Sequence, residues 1–190
     1  DYLMDKNAAA LEEALLFAVT YVDYCQGGSS AELAETMAKN LITGSGFTSP
    51  RPKASKAAEE LVLKLMEVGN GTDSINAIVG VLLDQGLSSK KPKIVQMSTQ
   101  LILEAAISFG AGCLPLAAIK QSLPKILAHS NKKIRDIGLE LVVELCRALG
   151  SKSALEDVME QMKKPQIKDL DDLLEKQPNP TEIKIGLRCH

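Results

Sequence analysis

The amino-acid sequence repeats itself with a period of 40 residues. Three segments of the same pattern begin at Lys53, Lys93 and Lys133, and a looser fourth copy precedes them. Between the looser copy and the other three lies a Gly-, Ser- and Pro-rich stretch, Thr43–Pro52, which accounts for its different spacing. Aliphatic residues coincide in successive columns of the alignment: Leu61, Leu101 and Leu141, then Val62, Ile102 and Val142, then Leu63, Leu103 and Val143. The chain is therefore built from copies of one structural unit.

A repeat of about 40 residues that contains two helices is the pattern of HEAT or armadillo solenoids. The fold class that the sequence predicts is all-α, an α-solenoid of about four helical hairpins plus a C-terminal capping helix. Each hairpin in such a stack packs only on its neighbours, and the stack presents an extended surface that binds other proteins. Protein binding is the function that this architecture favours.

Composition agrees with a helical stack and excludes several other classes. Aromatic residues make up only 3% of the chain and tryptophan is absent, so the core has to be aliphatic. A net charge of −2 provides no overall basic surface for nucleic acid. No apolar stretch approaches the roughly 20 residues that span a bilayer, and the N-terminal residues lack the pattern of a signal peptide. We expect a cytosolic protein, seen here as part of a longer one, without nucleic-acid or membrane partners.

The residue types that carry catalysis or bind metals are sparse. The four cysteines at positions 25, 113, 146 and 189 form no CxxC pair and have no neighbouring histidines. Of the two histidines, His129 lies in a predicted turn and His190 is the last residue. The Gly69–Gly71 and Gly110–Gly112 segments follow helices rather than strands and lack the Lys-Ser/Thr of a phosphate loop. The sequence thus predicts a protein that is not an enzyme, with no cofactor and no metal.

Helical periodicity and turn residues divide the chain into hairpins. One helical array is expected over residues 1–177, followed by an extended tail over residues 178–190. Pro92 is expected in a first helical turn, Asn7 and either Ser130 or Asn131 at N-caps, and Gly150 at a helix end. Pro165 is expected to break the chain between two helices. The predicted helices cover residues 8–24, 31–42, 53–68, 73–85, 92–109, 114–128, 132–149, 153–163 and 167–176.

Charged residues recur at equivalent positions of the repeat, and each set has two interpretations. Basic clusters open successive units: Lys90, Lys91 and Lys93, then Lys132, Lys133 and Arg135, with Arg51, Lys53 and Lys56 one unit earlier. They indicate either a basic stripe for an acidic partner or solvated lysines at helix starts. Glu104 and Glu144 share one column, either as a pair of acids or as separate, partly exposed charges between repeats.

Several motifs in a fixed order resemble a known family. They are Lys91–Val95, Ser108–Gly110, Leu123–Leu127, Asn131–Arg135 and Leu141–Arg147, and an acidic helix follows at residues 167–175. The set is similar to the first TOG domain of the ch-TOG family of microtubule polymerases, without that domain's first hairpin. The resemblance covers nearly the whole chain.

The resemblance implies a tubulin-binding module of a microtubule-associated protein that regulates microtubule growth. Partners would be the αβ-tubulin dimer and other modules of the same longer chain, and the location would be the cytoplasm and cytoskeleton, at microtubule ends, spindle or centrosome. Binding would use the turns inside each hairpin, with Tyr24, Asn70, Arg147 and Lys152 as the partner-binding residues. The alternative is a HEAT-repeat scaffold or adaptor for another cytosolic protein.

Overall fold

The computed structural model describes residues 2–24, 30–68, 72–177, 179 and 181 of the chain. Every regular element among these residues is helical, and the predicted all-α solenoid of HEAT repeats is confirmed. The α-helices are α1 (Ala8–Tyr24), α2 (Ala31–Thr43), α3 (Pro52–Glu67), α4 (Asp73–Val81), α5 (Pro92–Phe109), α6 (Leu116–Leu127), α7 (Lys132–Leu149), α8 (Glu156–Met159) and α9 (Lys164–Lys176). Short 3-10 turns lie at Tyr2–Met4, Ala111–Cys113 and Lys152–Leu155, and a π-helical turn lies at Leu82–Gly86.

The helices stack as hairpins in two layers. In one layer, α1 packs along α3 and α5 packs along α7; in the other, α2 packs along α4. The first helix of each hairpin supplies the repeated aliphatic columns, and Leu61, Leu101 and Leu141 are all buried at 0–1% exposure. The aliphatic core that the composition predicts is present, with Phe47 as its largest fully buried side chain.

Helix boundaries follow the chemistry of their terminal residues. The Asn7 side-chain oxygen accepts hydrogen bonds from the backbone N–H groups of Ala9 and Ala10, at 3.0 and 3.3 Å. Of the two candidate caps before α7, Asn131 is the one that accepts, from the N–H of Lys133 at 2.9 Å. Gly150 ends α7 with a left-handed φ of 67°, a conformation that glycine adopts without steric cost.

The fourth helix differs from the prediction. A single helix was expected over residues 73–85, but α4 ends at Val81 and the chain continues as the π-helical turn Leu82–Gly86. Gly86 packs directly on α5, where an added Cβ would lie 2.1 Å from Ser98 Oγ. The widened turn brings the backbone of the second hairpin into close contact with the third, which a periodic pattern does not encode.

Two predictions at the C-terminal end are wrong. The helix expected over residues 153–163 is instead a 3-10 turn, Lys152–Leu155, followed by the single turn α8. Pro165 does not break the chain, because it lies in the first turn of α9, where a missing N–H leaves no helical bond unmade. The tail predicted for residues 178–190 lies outside the described residues except for 179 and 181.

Candidate functional site

The turns inside the hairpins lie along one edge of the stack. Because each hairpin returns the chain to its starting side, the C-terminal ends of α1, α3, α5 and α7 point the same way. The described residues of the four turns that the resemblance assigns to partner binding therefore lie in one row, which we call the turn edge: residues 24, 68, 110–113 and 147–152. Residues 25–29 and 69–71 of the first two turns, including the predicted site residue Asn70, lie outside the described residues.

Tyr24 ends α1 on the turn edge and extends into solvent. Its side chain is 81% exposed, among the most exposed large hydrophobic residues of the described chain. An exposed tyrosine offers a flat apolar ring and one hydroxyl, a combination that is enriched at protein interfaces.

The third turn is short and open. Gly110 leaves α5 with a φ of 83°, and the 3-10 turn Ala111–Cys113 follows. Gly112 is exposed, and an added Cβ would meet no atom within 4 Å. This turn presents mainly backbone to a partner.

The guanidinium group of Arg147, a predicted partner-binding residue, makes hydrogen bonds inside the chain. Its Nε donates to the Gln177 carbonyl oxygen at 2.6 Å and its Nη2 to the Leu173 carbonyl oxygen at 3.1 Å. Nη1 lies 3.4 Å from Glu144 Oε2, and only 11% of the arginine side chain is exposed. Arg147 thereby ties the end of α9 to α7.

Glu144 is a structural residue that sequence reasoning missed. It was expected to be either paired with Glu104 or partly exposed, but it is buried at 4% exposure. Its two carboxylate oxygens accept hydrogen bonds from the Thr181 N–H and hydroxyl groups, at 2.9 and 3.1 Å. Glu104 is half-buried and accepts a hydrogen bond from the Gln100 side chain at 3.0 Å. The two glutamates that share a column of the repeat therefore have different partners and different roles.

Lys152 lies at the start of the turn after α7 and remains accessible. Its Nζ pairs with Asp171 Oδ1 of α9 at 2.5 Å, with the two side chains 46% and 51% exposed. An ion pair this open to water is weak and exchanges readily for another partner.

A shallow depression of about 170 Å³ lies beside Lys152, lined by Cys146, Gly150 and Leu174 among others. Burial raises the pKa of the Cys146 thiol, which favours its inert, protonated form.

The basic clusters lie at the opposite edge and divide into two kinds. Three members are used internally: Arg51 pairs with Glu12 at 2.6 Å, Lys93 donates to the Ser49 carbonyl oxygen, and Arg135 donates to the carbonyl oxygens of His129 and Ser130. The hydrogen bond and charge of Arg51 lower the pKa of Glu12, against the effect of partial desolvation. The other members are solvent-exposed, among them Lys53 and Lys56 of α3. The four at the starts of α5 and α7 form what we call the lysine edge: Lys90, Lys91, Lys132 and Lys133.

The sequence profile described as XMAP215/Dis1/CLASP, TOG domain, matches residues 1–174. This chain belongs to the TOG-domain family. It is 29% identical over 185 residues to Centrosomal protein 224 of Dictyostelium discoideum, covering 96% of this chain and 9% of that protein. It is 26% identical over 179 residues to the Spindle pole body component alp14 of Schizosaccharomyces pombe, covering 93% and 21%. The TOG domain thus spans about a tenth to a fifth of these relatives' length.

Solved structures support the fold of this TOG domain. A structure of microtubule polymerases with TOG domain arrays, concerned with tubulin recruitment and assembly, matches with a TM-score of 0.85 at 23% identity, over 98% of this chain and 39% of that one. TOG3 of Drosophila melanogaster Mini spindles matches with a TM-score of 0.77 at 16% identity, over 96% and 76%.

The described part of this TOG domain has neither a metal-binding cluster nor a membrane-spanning helix. Across ranges 2–24, 30–68 and 72–177, no group of three or more His, Cys, Asp and Glu residues could hold a metal ion. Within the same part of the chain, no helix is long and apolar enough to cross a membrane.

Proposed function

We propose that this TOG domain binds the αβ-tubulin dimer through its turn edge, as one module of a longer microtubule-regulating protein. The observation that carries the proposal is that the exposed side chains Tyr24 and Lys152 lie on one edge of a chain that belongs to this family. The similarity to a structure concerned with tubulin recruitment supports the same partner.

Binding alone, without catalysis, accounts for such a function. A module linked to others in one chain holds its ligand at high effective concentration, so weak sites together retain tubulin near a growing end. The chain's relatives are named as centrosomal and spindle pole body proteins, which supports a location in the cytoskeleton at microtubule ends, spindle or centrosome.

The predicted site residues take different parts in this proposal. Tyr24 supplies apolar contact area, and Lys152 leaves Asp171 to form a charge-assisted hydrogen bond with an acidic group of tubulin. Asn70 remains a predicted neutral contact. Arg147 orients the fourth turn from beneath, through the carbonyl oxygens of Leu173 and Gln177.

The test is sedimentation velocity of this chain with soluble αβ-tubulin at low salt. We expect a complex with the unmodified chain and a dissociation constant raised about tenfold or more by Lys152→Glu, because that edge then repels an acidic partner. Tyr24→Ala should weaken binding to a similar extent through lost contact area. The matched control is Lys91→Glu, which makes the same charge change on the lysine edge and should leave binding unchanged.

The same experiment distinguishes tubulin binding at the turn edge from the alternative function, a scaffold that binds another protein at the lysine edge. The four exposed lysines of the lysine edge favour an acidic protein partner at that edge. If Lys91→Glu abolished tubulin binding while Lys152→Glu and Tyr24→Ala had no effect, the partner would bind the lysine edge. If the unmodified chain gave no complex with tubulin, the tubulin proposal would be overturned.

A further inference from the structure

A long groove opens between α3 and α5, on the helix layer that ends at the turn edge. Its volume is about 770 Å³. The half-buried Leu63 provides apolar surface within it, above the buried Leu101, and carboxylates from both helices line it. None of the proposed tubulin-binding residues lines this groove.

The groove exists because neighbouring helices of this layer are not packed equally closely. α3 packs along α1 and α5 packs along α7, but α3 and α5 touch over a short length only. The contact between the second and third hairpins is made in the other part of the stack, where the π-helical turn Leu82–Gly86 packs on α5. That close contact leaves α3 and α5 apart in the other layer.

The charge of the groove favours a cationic guest. Its acidic side chains are Glu59, Glu60, Glu67 and Glu104, against the two basic side chains Lys56 and Lys64. Lys64 is already paired with Asp23 of α1. Among the described residues, the Glu59 carboxylate makes no ion pair and accepts no hydrogen bond. Burial and the charge of Glu104 raise its pKa, against the smaller effect of Lys56. A positive group between Glu59 and Glu104 would relieve this repulsion.

We propose that this groove binds a short basic segment of a partner protein, in which a large aliphatic side chain is flanked by arginines two residues away on either side. A metal ion does not fit as the guest, because no group of three ligating side chains is close enough together in the described part of the chain. The guanidinium group pairs with carboxylates in a planar, two-bonded geometry that a point charge does not match.

The register of α3 supports this pattern. Glu59, Leu63 and Glu67 recur every four residues along one helix face, so consecutive members are about 6 Å apart along the axis. Alternate residues of an extended peptide on one face are separated by about 6.7 Å. An Arg-x-Leu-x-Arg segment therefore places its leucine over Leu63 and its arginines over the two acidic positions. Glu104 of α5 faces Glu59 across the groove and supplies a second carboxylate for the first of these arginines.

The experiment is fluorescence anisotropy of the labelled peptide Gly-Arg-Ser-Leu-Ser-Arg-Gly titrated with the whole chain at roughly 0.15 M salt, where surface attraction is screened. We expect saturable binding that weakens about tenfold when the peptide's leucine is replaced by serine. The double variant Glu59→Gln/Glu104→Gln should weaken binding of the original peptide by at least about tenfold.

The matched control is Glu140→Gln/Asp157→Asn, which removes two exposed carboxylates outside the groove. We expect its affinity to stay within about twofold of the unmodified chain. Circular dichroism establishes that both double variants are folded. The proposal is overturned if the peptide does not bind the unmodified chain, or if the two double variants lose affinity for it equally. It is also overturned if replacing the peptide's leucine by serine leaves its affinity unchanged. Tubulin sedimentation of the groove variant should be unchanged, so this proposal and the tubulin proposal fail independently.

Discussion

The two ends of the stack are built differently. At the C-terminal end, α9 lies on α7 with Leu170 fully buried, while Asp169, Asp172 and Glu175 face solvent. At the N-terminal end, Phe17 and Tyr21 of α1 are 72% and 60% exposed, with ring centroids 6.2 Å apart. Tyr2, Phe17 and Met37 are among the residues that line an apolar groove of about 550 Å³ there.

The difference shows what a cap supplies to a repeat stack. A terminal hairpin has one face without a neighbour, and an added helix with a polar outer surface covers it. α9 does this with the buried Leu170, the partly buried Ile167, Leu173 and Leu174, the Arg147 hydrogen bonds, and a bond from the Gln166 side chain to the Leu127 carbonyl oxygen at 3.0 Å. Contacts of α9 should therefore affect stability far more than the exposed side chains of α1.

The largest effect is expected for Arg147→Ala. The substitution leaves the buried Glu144 carboxylate without its cation and frees the end of α9, so the free energy of unfolding should fall by about 3–5 kcal/mol. Urea denaturation followed by circular dichroism measures it. The control Lys152→Ala removes a basic residue from the same turn but breaks only an exposed pair, so it should cost about 1 kcal/mol or less. Equal losses in the two variants would show that Arg147 does not hold the cap.

Leu170→Ala tests the apolar part of the cap. Leu170 is fully buried on α7, so its truncation leaves a cavity and should cost about 2–5 kcal/mol in the free energy of unfolding. Leu33→Ala on α2 is the matched substitution at a side chain that is 51% exposed, and it should cost under about 1 kcal/mol. Thermal and urea denaturation of the pair give the comparison. A loss below 1 kcal/mol for Leu170→Ala would mean that α9 is not a stabilising cap.

A smaller effect is expected at the turn between α7 and the cap. Gly150 has a φ of 67° and open space where a Cβ would be, so Gly150→Ala should cost about 1 kcal/mol through backbone strain alone. Gly112→Ala is the control, because that glycine also has open space but no positive φ. Urea midpoints should separate the two variants. If they shifted equally, the strain argument would fail.

The sequence predicts the stack better than it predicts the cap. Helix ends at Asn7, Pro92 and Gly150 follow from local chemistry, and the 40-residue columns predict which helices pack together. Arg147, however, binds carbonyl oxygens 26 and 30 residues away, and a backbone carbonyl leaves no trace in residue identity. The π-helical turn likewise depends on the approach of Gly86 to Ser98 across two hairpins.

The same limit applies to the candidate site. Resemblance predicts which turns form the edge, because turn positions follow from helix ends. It does not distinguish an exposed side chain such as Tyr24 from a buried one such as Arg147, since exposure depends on what the rest of the chain places over each residue.

The smallest effect on stability is expected for Phe17→Ala on the exposed face of α1. Phe17 is 72% exposed and stacks with Tyr21, so the free energy of unfolding should change by less than about 0.5 kcal/mol. Fluorescence of a hydrophobic dye bound to the folded chain should fall. A large loss of stability would place Phe17 in a packed cluster and remove the contrast with Leu170. An unchanged dye signal would show that the apolar groove at this end is not what the dye binds. A small stability change together with a reduced dye signal would mean that α1 exposes apolar surface without contributing it to the core, whereas α9 contributes its single buried leucine and exposes charge.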